Sequence, residues 1–470
     1  MTTHEPANHL LLPPELFHHH IFLFLDTKTL KKSISLLCRN FYEWVSENVR
    51  SLVLDFKLIP SINQKKAIYE CASGGSFRNI QSLTLKNVND GVKGLFVENN
   101  WTKLTSLHIV IGRLGLKDLE EVCSLKQLTS LSLRNNSQIT NDIYTNIAEL
   151  KHLTRLNLSG LHISNNWYYN FVKFGPTGLK SLNLSCCNIE AAQLNLIGTL
   201  STLESLNLEG YTNLSTLESI DKWNMPSLTY LNLENRPFSK SLGDVCKLTS
   251  LRTLNMSNCG ISDKMSWELI SLNLFPNLTS LDASHNNLSI SWFQNNAPNL
   301  TNLNLTCCGI DDTEIIQLFS GIAPKLAILD VSENEVTDDG ISTISTSPYA
   351  SSLRSITYVS TNNIFVITDL SMKFISNSPY LENLTQINFS GNQIYAKGLL
   401  YLSQSSLVNL KVLKLCRTNI TESSFREFMK SGNMKRLCEI DFTNSIYLDK
   451  SVCRKAFPYL KRLNRVSVFE

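Results

Sequence analysis

One phrase recurs along most of this 470-residue chain: Leu-x-x-Leu-x-Leu-x-x-Asn/Cys-x-aliphatic. Leu300, Leu303, Leu305, Cys308 and Ile310 make one copy; Leu326, Leu329, Val331, Asn334 and Val336 make another. Copies begin at Ile80, Leu104, Leu128, Leu153, Leu179, Leu203, Leu228, Leu251, Leu278, Leu300, Leu326, Leu353, Leu384, Leu410 and Leu437, with a weaker one at Val49 and a truncated one at Leu460. From Ile80 onward the starts lie 22 to 31 residues apart. Nothing else constrains the fold as strongly. A unit of about 25 residues cannot bury a core by itself, so each must stack on its neighbours.

The local physics is the same in every copy. In Leu303-Asn304-Leu305 the apolar residues alternate, so they fall on one face of a short strand and Asn304 on the other. The next specified position carries Cys187, Cys259, Asn286, Cys308, Asn334, Asn392, Thr418 or Ser445, whose side chains can bond turn backbone or pack in a buried ladder. Return segments carry helix signals. Thr140-Asn-Asp precedes Ile143, Ile147 and Leu150 at helical spacing, Ser262-Asp263 precedes Met265 and Leu269, and Thr337-Asp-Asp opens a third. Strand then helix at this period predicts stacked parallel strands with helices outside.

The wording and period resemble the leucine-rich repeat family, in its cysteine-containing, ribonuclease-inhibitor-like form. The resemblance implies an α/β solenoid over residues 49–470, a horseshoe with parallel strands on the concave face and helices or 3-10 turns on the convex face. It also implies that ligands sit on the concave face.

Composition narrows the function classes. The net charge is +3 with no polybasic tail, which points away from a nucleic-acid groove or a membrane surface. Met1-Thr-Thr-His-Glu-Pro lacks the basic-then-apolar form of a secretory signal, and no stretch is long and apolar enough to span a bilayer. A cytoplasmic or nuclear protein with reduced thiols is expected, not a secreted one. Cys186-Cys187 and Cys307-Cys308 lack the spacing of a zinc site, and the triple His18-His19-His20 points three ways around a helix, so neither metal nor cofactor is expected. The Asn-x-Ser/Thr triplets at Asn157, Asn183 and Asn304 are by-products of the strand phrase.

Residues 8–48 leave the repeat. They read Leu12-Pro13-Pro14-Glu15-Leu16, then Ile21-Phe22 and Leu25-Asp26, then Leu30 and Ile34, then Leu36-Leu37-Cys38-Arg39 and Phe41-Tyr42. The prolines with Glu15 suit a first helical turn, and Asp26 and Thr27 suit a cap for a second helix. So many apolar residues in about 40 must pack on the array or on a partner. This order of elements resembles the F-box. The resemblance implies that Leu12, Pro13, Leu16, Ile21, Phe22, Leu25, Leu30, Leu36, Cys38 and Tyr42 bind a Skp-type adaptor, which in turn binds a cullin scaffold. Taken without the resemblance, the segment also reads as a cap over the first repeat. An elongin-binding box built on Ser33-Ile34, Cys38 and Tyr42 is a third reading.

A protein target is expected on the concave face or at an insertion. Among polar strand residues, Glu204, Glu209 and Glu234 form an acidic cluster suited to a basic stretch of a partner, and Arg134 and Tyr230 are anchor candidates. Between Leu353 and Leu384 the period is about five residues too long; Tyr358 and Phe365 in that interval are further candidates. The chain has no phosphate-binding Gly-x-x-x-x-Gly-Lys, no zinc-hydrolase motif and no Gly-x-Ser-x-Gly elbow. The reading is a non-catalytic substrate-recognition subunit of a Skp-cullin-F-box ubiquitin ligase. The alternatives are a plain interaction scaffold or sensor and a GTPase-activating repeat protein.

Overall fold

The structure is a computed structural model that describes residues 50–58, 78–89, 92–96, 101–136, 144–163, 165–210, 223–237, 242–245, 247–262, 275–290, 298–361, 367–431, 435–445 and 465–467. The F-box-like segment, with all ten adaptor-binding candidates, lies outside these residues, as do Phe365 and the expected helix after Ser262. The chain divides into two compact units, Met1–Asn157 and Leu158–Glu470.

In the first unit β1 (Ser51–Asp55), β2 (Ser82–Val88), β3 (Ser106–Gly112), β4 (Ser130–Ser132) and β5 (Arg155–Asn157) pair in chain order, all parallel. Phrase leucines face one another across the register: Leu52 with Leu83, Leu83 with Leu107, Leu107 with Leu131 and Leu131 with Leu156. In the second unit the strands are β6 (Ser181–Asn183), β7 (Ser205–Asn207), β8 (Tyr230–Asn232), β9 (Thr253–Asn255), β10 (Ser280–Asp282), β11 (Asn302–Asn304), β12 (Ile328–Asp330), β13 (Ser355–Thr357), β14 (Gln386–Asn388), β15 (Val412–Lys414), β16 (Glu439–Asp441) and β17 (Arg465–Ser467). They too pair in parallel and in chain order. Each unit is therefore an α/β repeat solenoid. Parallel pairing follows because each return segment carries the chain back to the same end of the sheet.

The core is the phrase itself. Leu179, Leu182 and Leu184, like Leu300, Leu303 and Leu305, are buried. The Asn/Cys position is a ladder of side chains that bond the neighbouring rung. Asn286 Nδ2 donates to the carbonyls of Met256 (2.8 Å) and Ala283 (2.9 Å), and its Oδ1 accepts from the amides of Cys259 (3.1 Å) and Ile261 (3.0 Å). Asn334 repeats the pattern one unit further, on Leu305, Val331, Cys308 and Ile310. Cysteine does part of the work. The thiols of Cys187, Cys259 and Cys308 donate to the carbonyls of Leu158, Leu233 and Ala283 at 3.1 to 3.2 Å. Thr418 and Ser445 close the series, both donating to Leu415 O. Burial pushes the Cys187 thiol up to about 11 and those of Cys259 and Cys308 up to about 12. At neutral pH these are protonated hydrogen-bond donors, not nucleophiles.

One ladder position breaks the chemistry. Arg236 stands where Asn or Cys stands elsewhere and is fully buried. Its Nε donates to Leu208 O at 2.7 Å, the carbonyl a ladder cysteine would use, and Nη2 donates to Cys187 O at 3.3 Å, two rungs back. Gly210 leaves the room, because a Cβ there would stand 2.6 Å from Arg236 Nε.

The residue before the ladder position is left-handed on rung after rung: Cys186, Asn235, Asn258, His285, Cys307, Glu333, Arg417 and Asn444 all have φ between 52° and 59°. This column turns the chain out of the strand.

Outside, helices are capped across rungs. In the helix Asp338–Thr346, Thr337 caps the N-terminus, as Thr337-Asp-Asp predicts, with its Oγ1 accepting from Asp339 N. Asp312 accepts Thr337 N–H at 2.9 Å and the Thr337 hydroxyl at 2.6 Å; Asp338 does the same for Thr368, and Asp369 accepts from the amides of Tyr395 and Gly398. Thr140-Asn-Asp precedes only a short described helix, Tyr144–Ile147. Among the described residues, no helix is long and apolar enough to cross a membrane.

Candidate functional site

The strands' polar faces make the inner surface of the second unit, and its polarity has two origins. The residue between the second and third phrase leucines is mostly Asn or Asp, and its side chain turns back on its own strand. Oδ1 of Asn183, Asn207, Asn232 and Asn255 accepts the amide two residues on, from Ser185, Glu209, Glu234 and Ser257, at 2.9 to 3.0 Å. Asp282, Asn304, Asp330, Asn388 and Asp441 do likewise. These Asx turns end the strands after three residues and set the twist into the left-handed position. Most of this column is therefore repeat structure. Burial pushes Asp441 up, but the Thr443 hydroxyl and amide and the nearby Lys414 charge hold it below the usual carboxylate range.

The second origin is residues the repeat does not require. Glu209, Tyr230 and Glu234 lie half-buried on β7, β8 and the turns after them. Burial first, then the charges of Glu209 and Glu234, raise the Tyr230 phenol above its ordinary value. Glu234 also accepts from Asn255 Nδ2 at 3.1 Å. Glu204 stands apart from this pair: it is exposed and takes Lys180 at 2.8 Å. Arg134 is exposed in the first unit, in a separate body from the acidic cluster.

Tyr358 is a correction. It is fully buried, and its hydroxyl donates to Asn334 O at 2.9 Å. It occupies the third-leucine position of its rung, after Leu353 and Ile356, and so belongs to the core and not to the binding face.

The period break nonetheless marks a concavity. A hollow of about 380 Å³ opens on the inner face across β13 to β16, lined among others by Thr361, Gly391, Lys414, Arg417, Asp441 and Asn444. Thr361 is the last described residue before the extra length of that repeat. Small residues make the hollow: Ser390 and Gly391 follow β14, and Gly391 (φ +78°) has no room for a Cβ, which would strike the Ser360 carbonyl. Lys414 and Arg417 supply positive charge from one rung; Lys414 is 3.5 Å from Glu439. Cys416 on the same wall has its thiol raised by burial. Arg417 escaped sequence reasoning because it sits in the left-handed column, outside the strand alternation. Its signal was its place one residue before Thr418 of the ladder. Among the described residues, no group of three or more His, Cys, Asp or Glu side chains could hold a metal ion. The surface offers donors, carboxylates and a hollow, which is the chemistry of recognition.

A family described as "Leucine Rich repeat" matches residues 177–192, 247–264, 296–313 and 323–345. A Trypanosoma equiperdum protein whose name describes it as an adenylate cyclase regulatory protein is 29% identical over 198 residues, 40% of this chain and 27% of that protein. The chain thus spans about a quarter of that relative's length. Among solved structures, an internalin from Listeria monocytogenes is 18% identical over 87% of this chain and 96% of its own, with a TM-score of 0.44. A repeat protein of Leptospira interrogans is 17% identical over 91% and 97%, with a TM-score of 0.44. The mouse RP105/MD-1 complex is 17% identical over 84% and 76%, with a TM-score of 0.47. The recurring phrase, the parallel ladder of short strands, the buried Asn/Cys column and the four matched segments identify the chain as a leucine-rich repeat protein.

Proposed function

We propose that this protein is a non-catalytic receptor that holds a protein target on the inner face of its second unit. The observation that carries this is the hollow across β13 to β16, on the strand face and beside the break in the repeat. Photo-crosslinking from the full chain in cells tests it. A photoreactive residue at Thr306, on the strand face, is expected to trap protein, and one at Lys397, on an outer helix, is not. Equal trapping from both faces would count against the reading.

The finer proposal is that the receptor serves a Skp-cullin-F-box ubiquitin ligase. It is supported by the order Leu12-Pro13, Leu16, Ile21-Phe22, Leu25, Leu30, Leu36, Cys38 and Tyr42. Catalysis then belongs to other subunits, and this chain raises the target's effective concentration near them. Leu16→Asp or Leu25→Asp in the full chain is expected to abolish co-purification with a Skp-type adaptor; undiminished recovery would sink the ligase role and leave the receptor. A second reading, a scaffold with no ubiquitin role, is favoured by the name of the Trypanosoma equiperdum relative. It predicts no adaptor recovered in either case.

A further inference from the structure

The charge along the second unit's strands, counting the residue just ahead of each strand, is divided. Consider the residues between the leucines of each phrase and the two after the third. From β6 to β12 these include Glu204, Glu209, Glu234, Asp282, Asp330 and Glu333, six acids, against two cations, Lys180 and Arg252. From β13 to β16 they include four cations, Arg354, Lys411, Lys414 and Arg417, against two acids, Glu439 and Asp441. The chain as a whole is nearly neutral at +3, so the division is an arrangement and not a bias of composition.

Each half also has a feature that fixes where a partner would engage. In the acidic half, Tyr230 lies half-buried on β8 with Glu209 and Glu234 on the turns after β7 and β8, an amphipathic surface suited to the stem and head of a lysine or arginine. In the positive half lies the hollow, with Arg417 exposed on its wall and Asn388, Thr443 and Asn444 around it as further polar groups. Glu439 and Asp441 both lie beside Lys414 and offset its charge, which leaves Arg417, on the turn beyond, as the exposed cation on the wall of the hollow.

We infer that the inner face binds a charge-divided protein segment, basic where it crosses β7 and β8 and acidic where it enters the hollow at Arg417. This rests on the reading of the chain as an inner-face receptor and names the chemistry of its target. Neighbouring strands lie about 4.8 Å apart, so β7 and β15 are separated by on the order of 40 Å along the sheet. An extended chain covers that in roughly 12 residues at about 3.3 Å each. The partner is thus a segment or surface with its charge blocks about that far apart, not a compact ligand.

The test uses the full chain and two fluorescent peptides of about sixteen residues with identical composition. One carries a lysine block and a glutamate block at opposite ends; the other alternates the same residues. Fluorescence anisotropy at low salt is expected to show the block peptide binding at least tenfold tighter. The preference should collapse above about 0.5 M salt, where screening is nearly complete over a few ångströms. Lys414→Glu with Arg417→Glu, and separately Glu209→Lys with Glu234→Lys, are each expected to remove the preference; circular dichroism checks that these exposed or half-exposed substitutions leave the fold intact. Equal affinity for the two peptides, or a block preference that survives both double variants, overturns the inference. No binding of either peptide overturns it as well. Trapping from Thr306 but not Lys397 would in that case leave the receptor reading standing.

Discussion

Arg236 donates from Nε to the carbonyl of Leu208 at 2.7 Å, taking the bond that a ladder cysteine or asparagine takes on other rungs. Among the described residues, Nη1 of the same guanidinium is buried with no partner. An unpaired buried cation costs several kcal/mol, so the site trades stability for its two carbonyl bonds. Arg236→Met keeps most of the volume and removes the charge; its denaturation midpoint is expected to match or exceed that of the natural protein. Arg236→Ala leaves both the carbonyl and a void, and is expected to lose about 2–4 kcal/mol by urea denaturation. A large loss with Met would show that the charge itself is needed.

Asn286 carries the opposite lesson. It satisfies two amides and two carbonyls of buried backbone at once. Asn286→Ala leaves the Cys259 and Ile261 amides and the Met256 carbonyl short of a partner, while Ala283 O keeps the Cys308 thiol, and a loss of about 3 kcal/mol is expected, since each unmade buried bond costs roughly 1–3 kcal/mol and the losses are not additive. Hydrogen exchange should rise at Cys259 and Ile261 before it rises elsewhere. Unchanged protection there would refute the bonding pattern.

Buried and exposed thiols should separate by reactivity. Cys123 and Cys259, pushed up to about 12 by burial, remain protonated at pH 8 to 9 and are inaccessible. Cys307 is exposed on the left-handed turn. Iodoacetamide followed by mass spectrometry is expected to label Cys307 in the folded protein and Cys123 and Cys259 only on unfolding. Raising the pH from 7 to 9 should leave the buried pair unlabelled. Labelling of Cys259 under native conditions would contradict its place in the core.

Tyr358→Phe should act on stability alone. It removes one hydroxyl bond to Asn334 O from a fully buried site, worth about 1 kcal/mol. Trapping of partner from Thr306 is expected to be unchanged. A loss of trapping with no loss of stability would return Tyr358 to the binding face.

The repeat, the parallel strands and the buried ladder were legible because each depends on a residue type at a fixed phase: Leu303 and Leu305 must face in, and Cys308 must follow at the turn. Where reading failed, a general preference overrode that phase. Tyr358 drew notice as an aromatic near an insertion, yet it stands in register with Leu305 and Val331, both buried. Arg236 was passed over because arginine is so seldom buried, although its position said ladder. The left-handed column was hidden because Cys186, Glu333 and Arg417 share no chemistry, only a backbone angle. Alternation puts Asn183 and Asn207 on the face opposite the leucines, but both are spent on their own strands, which alternation cannot reveal. The hollow depends on Gly391 and Ser390 side by side with Arg417 one rung away, a coincidence between repeats that no single repeat displays.

Most ladder bonds join a rung to the one before it, so each rung depends on its immediate neighbour and the array behaves as a row of exchangeable parts. The second bond of Arg236, from Nη2 to Cys187 O, skips a rung. Excising the intervening repeat would leave a guanidinium cut for two carbonyls facing one. Here the solenoid has lost its modularity. Three consecutive repeats are bound into a single inheritable block, and recombination that shuffles rungs freely elsewhere would have to move Cys187, Gly210 and Arg236 together.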